Sequence, residues 1–124
     1  MYISANQMNN DAREYLASLF EAYLMPIEYI PTVFVTVHDT DYCGMFIGNN
    51  EDNYMAIVLN YSNVCELAEI ENIDLYRAIY ETVFHEFIHF IQHLNDEPLE
   101  HNGILWYSMV QTGLDMGLIH RKAI

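Results

Sequence analysis

Apolar residues at Ala12, Tyr15, Leu16, Leu19, Phe20, Tyr23 and Leu24 recur with the period of an amphipathic helix, which predicts a helix over Asn9 to Met25. Asn9 or Asn10 is placed to cap its start, Asp11 and Glu14 suit its first turn, and Pro26 ends it. The pattern then changes to short β-branched and aromatic runs separated by turn residues. Pro31 to His38, Tyr42 to Gly48 and Tyr54 to Tyr61 read as three strands, with Asp39-Thr-Asp41 and Gly48-Asn-Asn50 as the turn-rich breaks. Such short connections predict hairpin-like neighbours and a sheet that is at least partly antiparallel. From Ser62 the helical period returns. Ser62 or Asn63 is the expected cap of a short helix to about Ile70, broken near Asn72, and Asp74 the cap of a long one to about Leu94. A loop at Asn95 to Pro98 and a last helix from Gly103 to about Met116, with Gly117 after it, complete the reading. The fold class expected is α+β in a single domain spanning residues 1–124.

Within the long helix, the segment from Val83 to Ile91 is apolar on nearly every side, the mark of a buried helix. The chief interruptions are His85, Glu86 and His89, which spell HExxH. Unpaired polar groups are costly in such a place, and binding a metal relieves that cost. On a helix, residues four apart share a face and differ by about 6 Å in rise, so the two imidazoles can close on one Zn²⁺. The carboxylate beside the first is placed to take a proton from a water polarised by that ion.

Hydrolytic zinc sites usually take three protein ligands and one water. The candidates for the third are His93, Glu97, Glu100, His101, His38 and His120. His93 lies eight residues after His85, about 12 Å along the axis, too far for both to hold one ion through bonds near 2.1 Å. It is better read as a helix-end residue facing the terminal carbonyls. His101 follows a loop, so the chain has room to turn back and deliver it. Glu97 and Glu100 stay open as carboxylate alternatives, while His38 and His120 default to ordinary surface histidines.

HEFIH, then about a dozen residues, then His101-Asn-Gly-Ile-Leu-Trp106 and a helix ending in Met-Gly-Leu resembles the SprT-like metallopeptidases. The order before the motif is similar too, with an N-terminal helix, three short strands and a Gly-aromatic step at Gly44-Met-Phe46. The resemblance implies a minimal zincin with Zn²⁺ held by His85, His89 and His101, and Glu86 as general base. It implies hydrolysis of protein or peptide substrates bound along an edge strand. The pattern differs in the Asn102 inserted before the glycine and in lacking the cysteine zinc ribbon of longer relatives. Trp106 is expected mainly in the core, and Tyr107 is expected to pack.

Charge narrows the partners. Four basic residues face 18 acidic ones, a formal net charge of −14. Such a surface repels phosphate backbones, so direct nucleic-acid binding is not expected. Cys43 and Cys65 stand without any CxxC, which excludes a cysteine knuckle and favours buried free thiols over a disulfide. No apolar run suits a membrane span and the start shows no secretory pattern, so the expected location is cytoplasmic. The rival to a zinc metallopeptidase is a non-enzymatic acidic interaction protein in which zinc only staples the fold.

Overall fold

The computed structural model describes residues 3–49, 51 and 54–120. The elements run α1 (Ala5–Ala22), a 3-10 turn (Ile27–Tyr29), β1 (Thr32–Thr36), β2 (Gly44–Asn49), β3 (Tyr54–Asn60), α2 (Tyr61–Ile70), α3 (Leu75–Leu94) and α4 (Ile104–Asp115). This is the α+β layout expected, with a mixed three-stranded sheet. Asn50, at the end of one anticipated turn, lies outside the described residues.

Helix starts follow side chains that answer otherwise unpaired N–H groups. Asp74 caps α3 through Tyr76 N at 2.8 Å, as its sequence position suggested. Two starts differ from expectation. Ser4, not Asn9 or Asn10, caps α1 by accepting from Gln7 N at 3.0 Å, and the helix begins a turn early. Asn60, not Ser62 or Asn63, caps α2 by accepting from Asn63 N at 2.9 Å. Both caps sit where apolar periodicity is weak, which is why the pattern alone missed them.

The sheet order is β1-β3-β2, with β1 parallel and β2 antiparallel to β3. Among the described residues β2 and β3 are therefore the one hairpin-like pair, and β1 and β2 are not neighbours. Composition explains the arrangement. β3 is nearly continuously apolar and takes the centre, with Ala56, Ile57 and Leu59 buried. Glycine-bearing β2 takes an edge, where α3 packs along it. The core gathers Met8, Leu16 and Phe20 of α1 with Ile57 and Leu59 of β3 and Phe84, Phe87, Ile88 and Phe90 of α3, all closed to solvent. Helices α1, α2 and α4 and strand β2 all lean on α3, so the HExxH helix is the axis of the molecule.

Candidate metal centre

His85, Glu86 and His89 lie in the middle of α3, where burial fixes their backbone. The chain after α3 must turn back to reach them, and the helix end does this. Asp96 adopts a left-handed backbone (φ 54), Asp96 N bonds to His93 O at 3.2 Å, and Glu97 N bonds to Gln92 O at 2.9 Å. That paired closure is a Schellman ending, which reverses the chain against its own last turn. His101 thereby returns to α3, and Gly103 (φ 94) then admits α4 at an angle that a side chain would resist.

The three histidine nitrogens converge. His101 Nε2 is 3.1 Å from His85 Nε2 and 3.2 Å from His89 Nε2, and all three ligand atoms lie within 4.8 Å of one another. Around one ion, nitrogens bonded at about 2.1 Å stand roughly 3.4 Å apart at the tetrahedral angle, so the spacing fits. A single proton on His101 Nε2 can answer only one of its two neighbours. The cluster therefore presents surplus lone pairs to one point, the donor chemistry a metal cation satisfies. Burial and the neighbouring His101 both push His89 below the ordinary imidazole pKa, against a rise from its hydrogen bond to Gln92. The neutral, ligating form is thus favoured.

The surroundings are apolar and firm. Trp106, only 5% exposed, sets its indole against all three imidazoles, with ring centroids 5.1 Å from His85, 5.6 Å from His89 and 5.1 Å from His101. It belongs to the core as anticipated, and it is also the floor of the histidine cluster. His89 Nδ1 meets Gln92 Oε1 at 2.8 Å. The opposite side is open, since His101 is exposed and His85 half-buried.

Glu86 is buried, with one carboxylate oxygen 3.9 Å from His85 Nε2. Burial pushes its pKa up to about 8, partly offset by the Phe46 backbone N–H that its carboxylate accepts. That contact ties β2 to the site. Gly44, on the same edge, has no room for a side chain, because a Cβ there would stand 2.7 Å from Thr82 Cγ2 and 3.2 Å from Glu86 Oε2. Cys43 O accepts from Asn60 N, which fixes the ladder so that Gly44, Phe46 and Gly48 turn their backbone groups away from β3, where Phe46 N–H meets Glu86.

The other sequence candidates fall elsewhere. Glu97 and Glu100 are exposed and outside the cluster. His93 is half-buried against Phe46 and Gly48 and lines a separate cavity of about 580 Å³, packing on β2 in place of the expected contact with helix-end carbonyls. His38 and His120 are exposed. Tyr107 is 63% exposed, so the expectation that it packs is wrong: it occupies the solvent side of α4, next to the buried Trp106. Cys43 and Cys65 are free thiols as expected, but half-buried and not buried. Among the described residues no helix is long and apolar enough to cross a membrane. Gln92 went unnoticed in the sequence, where only its position three after His89 hinted at a role. Comparison with protein-family models, with curated proteins and with solved structures finds no match to this chain.

Proposed function

We propose that the chain is a zinc-dependent peptidase of the SprT-like kind, with His85, His89 and His101 as zinc ligands and Glu86 as general base. The observation that carries this reading is the buried Glu86 carboxylate beside three convergent imidazole nitrogens. A site that only stapled the fold would have no use for a buried base there. Zinc, when bound, supplies Lewis acidity toward a carbonyl oxygen and lowers the pKa of water.

The protein's own groups do the rest. Glu86 takes the proton of the attacking water and returns it to the leaving amine nitrogen. The Phe46 N–H holds the carboxylate in place through that exchange. The free edge of β2 offers the backbone groups of Gly44 and Gly48 to an extended peptide, so recognition is through main-chain pairing and tolerant of sequence. A formal charge of −14 favours basic or neutral protein substrates over nucleic acid.

The test is metal analysis followed by cleavage of an unfolded protein. Purified chain should hold about one zinc per molecule, lost in His85→Ala and His101→Ala. Glu86→Gln should keep the zinc and lose at least about 100-fold in cleavage rate. Zinc held equally well by His101→Ala would remove that residue from the ligand set. Zinc binding without any Glu86-dependent cleavage would favour the stapled interaction protein.

A further inference from the structure

Gln92 joins the metal site to the loop that follows α3. Its side chain is 2% exposed, its Oε1 stands 2.8 Å from His89 Nδ1, and its Nε2 donates to the Glu100 carbonyl at 2.9 Å. Its own carbonyl accepts from Glu97 N at 2.9 Å. The orientation of the amide follows from the acceptors available. A peptide carbonyl cannot donate, so the Nε2 end must face Glu100 O, which leaves Oε1 toward His89. Oε1 cannot donate either, so the His89 proton must sit on Nδ1. His89 Nε2 then carries its lone pair toward His85 and His101.

We infer that Gln92 is the positioning residue of the site, fixing the ligating tautomer of His89 and, through Glu100, the loop that delivers His101. The inference rests on the metal-binding reading of the three histidines. The bonds from Glu97 and to Glu100 hold the returning loop to one residue of α3. The bond to His89 orients a ligand. A partner on the far nitrogen of a ligating histidine typically changes metal affinity by 10- to 100-fold when removed.

The two roles separate by chemistry. In Gln92→Glu the carboxylate still accepts from His89 Nδ1–H but has no hydrogen for the Glu100 carbonyl. Gln92→Met keeps the length and loses both. Zinc affinity is measured by competition with a chromophoric chelator, and the His89 tautomer by ¹⁵N imidazole spectra of the metal-free protein at pH 8. Gln92→Met should weaken zinc by about 10- to 100-fold and abolish the single Nδ1–H tautomer. Gln92→Glu should keep that tautomer and lose less affinity. With His101→Ala as background, where zinc is not held, the tautomer spectrum alone is read: Gln92→Glu should keep the Nδ1–H form of His89 and Gln92→Met should lose it.

A wild-type His89 with its proton on Nε2 would overturn the inference, whatever the variants do. So would Gln92→Met binding zinc as tightly as wild type. A wild-type chain that binds no zinc would instead sink the metal reading, and the tautomer spectrum of that same protein would still decide the role of Gln92 in orienting His89.

Discussion

At the scale of single residues, the cost of the site is concentrated in Glu86. A carboxylic acid whose folded-state pKa is raised binds its proton more tightly in the native state than in the unfolded chain. Its contribution to stability is therefore full below the unfolded value of 4.5 and is lost as pH rises through about 8. His89 has the opposite sign, because its pKa is lowered by burial first and by His101 second, so it withdraws stability as pH falls through the imidazole range. Comparing wild type with Glu86→Gln isolates the carboxylate from that second effect. In chelator-treated protein the two should have similar urea midpoints at pH 4.5. At pH 8.5 the variant should be the more stable, by on the order of a few kcal/mol, since each pKa unit is worth about 1.4 kcal/mol. Equal midpoints at both pH values would show that the glutamate is not desolvated. A metal ion beside the carboxylate favours its charged form, so zinc should shrink the difference.

Between elements, the close approach of α4 to α3 holds Trp106 over the histidines, and Gly113 permits it. A Cβ at Gly113 would stand 2.5 Å from Phe84 Cζ and near 3 Å from both Cε atoms. Glycine to alanine in a helix interior ordinarily gains up to about 1 kcal/mol. Here the added methyl meets a Phe84 ring that is fully buried, and overpacking of this kind costs about 1–3 kcal/mol. Gly113→Ala should thus be destabilised in urea unfolding, and Phe84→Leu in the same chain should recover part of the loss. A stabilised Gly113→Ala would mean that α4 has slack over α3. This glycine shows where sequence reading stops. The α3 helix, its Asp74 cap and the HExxH spacing were legible because helical period and capping are local. His101 was legible because it follows a loop and precedes a glycine and a new helix. Gln92, the placement of β3 between β1 and β2, and the indole against the imidazoles were not. Each depends on which surfaces meet after the chain reverses, and no local pattern in the sequence carries that.

For the molecule as a whole, the site ties the exposed loop between α3 and α4 back to α3. The sheet and all four helices share one large core. The segment from Asn95 to Gly103, by contrast, is mostly exposed and tied back chiefly through Gln92 and the three histidines. An ion bound by all three imidazoles would bind the folded chain and not the unfolded one, since the ligands come from two separated segments. Stability should then rise with free zinc by about 2.7 kcal/mol at a hundredfold excess over the dissociation constant. For a chain of 124 residues that corresponds to a shift in melting temperature of roughly 10 °C. The shift should be reversed by chelator and reduced strongly in His101→Ala. It should be unchanged in His38→Ala and His120→Ala, whose side chains are exposed and outside the cluster. Thermal melts across a zinc titration at fixed pH and salt measure all four proteins on one scale. Loss of the shift in the His38 or His120 variant would place the ion elsewhere. A full shift in His101→Ala would mean that the returning loop is held by Gln92 alone, and that the helix pair His85 and His89 carries the metal without it.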